Sequence, residues 1–221
     1  MRPLIAFDLD GTLVDSRLDL AETANEMLAR YGAGPLPVDT VAGYVGDGVR
    51  QLVIRTLEGA GVHAAPEDAQ AAFVDIYGRR FLNHTRPYTG ILEAVHDVEG
   101  IARLGVVTNK PEAFSREILV AFGLARSFEW VIGGDSPFGR KPDPSGLLHV
   151  IRESGSTPGR TLFVGDSAVD VETARRAGTK ICVAAYGFGQ ARQPIALQGD
   201  EYVATAPGDV AGILREFIDT H

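Results

Sequence analysis

The chain has 221 residues, 45% apolar and 23% charged, so it is a soluble globular protein long enough to bury a sizeable core. Its formal net charge of −8 disfavours nucleic acid and anionic membrane as partners but tolerates a bound metal cation. Cys182 is the only cysteine and sits in an apolar run, which excludes an intrachain disulfide and fits a reducing, cytoplasmic setting.

The first strand is expected at 4–8 (LIAFD). Its apolar run is cut by Asp8, too early for a signal peptide, and no run in the chain nears the ~20 apolar residues of a membrane span. Residues 16–85 then read as helices without strands. Leu20, Ala24, Met27, Leu28 and Tyr31 recur at helical spacing and stop at Gly32. Val49, Leu52, Val53 and Leu57 repeat the pattern, as do Phe73, Ile76, Tyr77 and Phe81. This segment is expected to be a helical lid inserted after the first strand, jointed at Asp15-Ser16 and Thr85-Arg86-Pro87.

Beyond the insert, strands are expected at 102–108, 130–133, 161–165, 180–185 and 201–204. Helices at 111–122, 144–154, 168–177 and 208–219 alternate with them. The strand runs are apolar throughout rather than alternately, as strands covered on both faces are. The fold class is therefore α/β: a doubly wound parallel sheet from 1–15 and 86–221, with an all-α cap at 16–85.

In such a sheet, ligands bind beyond the carboxyl ends of the strands. Four polar clusters stand there: Asp8-Leu9-Asp10, Thr108-Asn109-Lys110, Gly139-Arg140-Lys141-Pro142-Asp143-Pro144, and Gly165-Asp166-Ser167 with Asp170 beyond. Asp8 and Asp166 are hard oxygen donors suited to Mg²⁺. Thr108 offers a hydroxyl, and the helix opening at Pro111 offers free N–H groups to an anion. Lys141 adds a compact positive charge. The set reads as a phosphoryl-transfer site with a carboxylate nucleophile.

A calcium loop fails as an alternative, because it would need a glycine at Leu13 and a glutamate at Asp19. Ser167-x-x-Asp170 is also a helix-capping pattern, and Ser16 is a good helix N-cap. Lys110 and Lys141 are two of only three lysines in the chain, and both fall beside the clusters. The histidines, at 63, 84, 96, 149 and 221, show no metal-ligand spacing.

"FDLDGT" (7–12), "VVTNK" (106–110), "GRKPDP" (139–144) and "FVGDSAVDVETARRAG" (163–178) resemble, in order, the four motifs of the haloacid dehalogenase-like hydrolase superfamily. The insert resembles that superfamily's first cap type. "FDLDGTLVDSRLDLAETANEML" and "VGDGVRQLV" (45–53) are most similar to its phosphoglycolate phosphatases.

The resemblance implies that Asp8 attacks phosphorus and that Asp10 serves as acid, then base. It implies Mg²⁺ held by Asp8, the Asp10 carbonyl and Asp166, with Asp170 as an outer metal group. Thr108 and Asn109 would hold phosphoryl oxygens, and Lys141 would screen Asp8. Gly11 and Arg50 complete the expected substrate contacts, Arg50 from the lid.

A dehalogenase would lack Asp10. A phosphonoacetaldehyde hydrolase would need a cap lysine, and 16–85 contains none. A β-phosphoglucomutase would need sugar-gripping cap groups, which are not evident. A signalling receiver would have neither Asp10 nor the insert. The expectation is a Mg²⁺-dependent phosphomonoesterase for a small phosphorylated acid or sugar, 2-phosphoglycolate foremost.

Overall fold

The structure, a computed structural model, describes residues 2–191 and 194–221. Its centre is strand β1 (Leu4–Phe7), whose four residues are all buried. To one side lie β4 (Arg103–Val107) and then β5 (Trp130–Ile132). To the other lie β6 (Thr161–Gly165), β7 (Lys180–Ala184) and β8 (Tyr202–Ala204). Every pairing in this six-stranded sheet is parallel. The chain builds outward through β4 and β5, then crosses back over β1 to continue through β6. The strand order therefore reverses at β1, and a crevice opens between the carboxyl ends of β1, β4 and β6.

The side chains of β1 alternate between two packed layers. Ile5 and Phe7 join one core, which also includes residues of α5 (Ile91–Val98) and α9 (Asp209–Thr220). Leu4 and Ala6 join the other, against α7 (Ser145–Ser154) and α8 (Ala168–Ala177). Burial on both faces explains why the strands read as unbroken apolar runs. Helix α6 (Glu112–Ala121) completes the expected alternation.

The insert holds α1 (Arg17–Arg30), α2 (Val38–Ala42), α3 (Val49–Gly59) and α4 (Pro66–Gly78). It is bracketed by a ribbon absent from the sequence reading. Strand β2 (Val14–Asp15) pairs antiparallel with β3 (Arg86–Pro87), matching Val14 to Pro87 and Asp15 to Arg86. The buried carboxylate of Asp19 pins the returning chain to α1: it accepts from the main-chain N–H groups of His84 and Thr85 and from the Thr85 hydroxyl. Among the described residues, no helix is long and apolar enough to cross a membrane.

Helix α5 was also not expected. It is eight residues long, shorter than the window over which a helical period is firm.

Candidate active site

Strand β1 delivers Asp8 to the crevice, where its N–H bonds the Val164 carbonyl of β6 at 2.8 Å. The tight turn that follows depends on Gly11. Its φ of +85° favours glycine, and a Cβ there would lie 2.0 Å from an Asp166 carboxylate oxygen. Gly11 thus lets the β1 and β6 loops close on each other. Asp166 leaves β6 and accepts from Gly189 N–H at 2.7 Å.

Lys141 Nζ lies 2.8 Å from Asp8 Oδ1 and 2.6 Å from Asp170 Oδ1, with its side chain only 3% exposed. The other Asp170 oxygen accepts from the N–H and hydroxyl of Ser167, and Ser167 Oγ accepts from Asp170 N–H, so both halves of the capping box form. Asp170 therefore caps α8 and fixes Lys141 together.

Oxygens of Asp8, Asp166 and Asp170 lie within 4.8 Å of one another. Burial pushes the Asp8 carboxyl up to about 6; Lys141 pulls it down, and the Asp170 charge raises it again. Burial, with the charges of Asp170 and Asp8, also holds Asp166 well above the carboxylate range. Burial alone would lower the Lys141 ammonium, but Asp170 and Asp8 outweigh it and keep the lysine charged. With protein groups alone the cluster has surplus negative charge, so its donor set fits a hard divalent cation.

Asn109 ties three segments together. Its side chain accepts from Lys141 N–H at 2.8 Å and donates to the Lys141 carbonyl at 3.0 Å. It also donates to the Gly46 carbonyl of the insert at 2.8 Å. These bonds occupy its amide, so Asn109 orders the loop and the insert around the crevice. Thr108, 4% exposed, lines the crevice beside it.

Asp10 is held from two sides. The Ser16 hydroxyl donates to Oδ1 at 2.6 Å, and Lys110 Nζ sits 2.9 Å from Oδ2. Ser16 precedes α1 but makes no side-chain cap bond; its hydroxyl is spent on Asp10 instead of the helix. Asp15 pairs with Arg17 at 2.6 Å. Lys110 also donates to the Tyr77 hydroxyl of α4 at 2.6 Å. The sequence marked Lys110 by its rarity and Ser16 as a helix N-cap, but gave no sign that Tyr77 or Ser16 bonds into this network.

Arg50 departs from expectation. Its guanidinium pairs with Glu67 at 2.9 Å, and its side chain is 45% exposed. Val49, Leu52 and Val53 set the inward face of α3, and Arg50, one residue after Val49, turns away from the cleft. Arg50 does not line it, whereas Gly48, Val49 and Leu52 do.

The cleft has a volume of about 710 Å³, including its open mouth. Asp8, Asp10, Thr108 and Asp166 form its floor, and the insert contributes an apolar wall that includes Leu52, Phe73 and Val74. Phe114 of α6 meets Tyr77 edge-on at 5.1 Å and Phe81 at 5.3 Å, which docks α4 against the sheet domain.

The haloacid dehalogenase-like hydrolase family matches residues 5–184. The chain belongs to that family. This haloacid dehalogenase-like hydrolase is 39% identical over 201 residues to a phosphoglycolate phosphatase of Pseudomonas fluorescens (strain Pf0-1), covering 87% of the chain and 72% of the relative. It is 37% identical over 204 residues to one from Nitrosospira multiformis, covering 90% of each. A solved structure described as a predicted phosphoglycolate phosphatase from Haemophilus somnus 129pt superposes with a TM-score of 0.90 at 30% identity, over 96% of this chain and 98% of that one.

Proposed function

We propose that the protein is a Mg²⁺-dependent phosphatase that hydrolyses a small phosphomonoester, 2-phosphoglycolate foremost. The observation that carries this reading is the buried cluster of Asp8, Asp166 and Asp170 around Lys141, with Asp10 two residues beyond Asp8. The names of the relatives support the substrate.

Asp8 and Asp166, with the Asp10 main-chain carbonyl, are the groups to hold Mg²⁺, which supplies neutralising charge to a phosphoryl group. Asp8 attacks phosphorus and becomes an aspartyl phosphate. Asp10 gives a proton to the departing oxygen, then takes one from the water that hydrolyses the intermediate. Lys141, fixed by Asp170, screens Asp8 from the approaching anion. Thr108 donates to the phosphoryl group, and Asn109 secures the loop that carries Lys141.

The insert at 16–85 acts as the lid, pivoting on the β2–β3 ribbon. Its apolar wall excludes water and sets the size of the leaving group. The cytoplasmic setting rests on the single buried Cys182.

The test is a panel of phosphate esters assayed with Mg²⁺ and ranked by kcat/KM. Phosphoglycolate should rank above glucose 1-phosphate and pyrophosphate, and acid quenching should trap phosphate on Asp8. Turnover of none of the panel would overturn the reading.

A further inference from the structure

The wall that the insert turns toward the cleft is built from carbon. Leu52, Val49, Phe73 and Val74 present no donor or acceptor side chain, and Arg50 faces away. Tyr77 is the exception. It lines the cleft, is 3% exposed, and its ring is stacked on Phe73 at 5.9 Å and met edge-on by Phe114.

Its hydroxyl takes a hydrogen bond from Lys110 Nζ at 2.6 Å. An ammonium can only donate, so the tyrosine oxygen is the acceptor and keeps its own proton. That proton has no acceptor among the described residues. Burial pushes the phenol up to about 12, so the proton stays on the oxygen at neutral pH. Accepting from a cation makes a hydroxyl a stronger donor.

The position is informative. The same Lys110 Nζ lies 2.9 Å from Asp10 Oδ2, so the Tyr77 hydroxyl and the Asp10 carboxyl flank one ammonium. In the proposed reaction Asp10 meets the leaving oxygen. The Tyr77 hydroxyl then stands one ammonium away from that oxygen's acid. Lys110 also offsets the charge of Asp10, so an anion is not repelled there.

We propose that Tyr77 is a substrate-recognition residue whose hydroxyl donates to a carboxylate next to the ester oxygen. The site would thereby select phosphorylated 2-hydroxy acids over plain alkyl phosphates. This rests on the phosphatase reading and narrows its substrate class.

The experiment compares 2-phosphoglycolate with ethyl phosphate, which has a methyl group in place of the carboxylate. Tyr77→Phe keeps the ring and its packing. The wild type should prefer phosphoglycolate. In Y77F, kcat/KM for phosphoglycolate should fall about ten- to hundredfold further than that for ethyl phosphate, as expected for loss of a hydrogen bond to a charged group.

Equal losses on both esters, or none, would overturn the assignment and leave the phosphatase reading intact. So would a wild type that turns over ethyl phosphate as well as phosphoglycolate. A wild type inactive on both would overturn the phosphatase reading and this inference with it. Inhibition of the wild type gives a measurement independent of the variant's folding. There 3-phosphonopropionate should bind more tightly than propylphosphonate, and equal inhibition would count against a carboxylate contact.

Discussion

Lys141 Nζ bridges Asp8 and Asp170 at 2.8 and 2.6 Å, deep in the crevice. Removing the ammonium would leave buried carboxylates facing one another. Lys141→Met should therefore destabilise the fold by about 3–5 kcal/mol at neutral pH and abolish turnover. The loss in stability should shrink in acid, where Asp8 protonates. Chemical denaturation at two pH values checks this, and an unchanged midpoint at pH 7 would contradict it.

The opposite outcome is expected at Asp8. Asp8→Asn removes one charge from a cluster with surplus negative charge, while Lys141 keeps Asp170 as its partner. Turnover and trapped aspartyl phosphate should disappear. The melting temperature in EDTA should nevertheless equal or exceed that of the wild type. A lower one would mean that the crowding costs the fold nothing.

The Asp8 carboxyl is raised from its ordinary 3.8 to about 6, chiefly by burial. Because the folded value lies above the unfolded one, ionising Asp8 opposes folding. That penalty grows as pH rises from about 4 to 6 and is constant above. Mg²⁺ competes with this proton and with the one on Asp166, which burial also raises, so its binding should weaken steadily as pH falls through 6. Thermal-shift titrations with Mg²⁺ from pH 5 to 8 would measure it. A midpoint independent of pH would place the titration elsewhere.

Arg50 supplies a negative control. It is exposed and paired with Glu67 rather than aimed into the cleft. Arg50→Ala should leave kcat/KM within about twofold and stability within about 0.5 kcal/mol, as for an exposed ion pair. A drop of a hundredfold would show that Arg50 reaches the substrate after all.

These residues also mark how far the sequence could be read. Asp8 and Asp166 were legible because each ends a continuous apolar run, and a parallel sheet brings such ends together. Asp170 was legible as both cap and site residue because both signals lie within four residues. Arg50 misled because its nearness to Gly48 in sequence says nothing of its phase on α3.

The bonds of Lys110 to Tyr77 and Asp10 were invisible for another reason. Lys110 and Tyr77 are 33 residues apart, and Lys110 and Asp10 are 100 apart. No local period encodes such meetings. The β2–β3 ribbon escaped because two-residue strands have no pattern to show.

That ribbon has a consequence for the history of the molecule. Asp15 and Arg86 are paired neighbours, so the chain leaves and rejoins the sheet domain at almost one point. A helical segment whose two ends meet can be exchanged there as a cassette, with little change in closure entropy. The carboxylates and Lys141 lie wholly on the other side of the splice. A lineage built this way can trade one metabolite for another while Asp8, Asp166 and Lys141 stay in place.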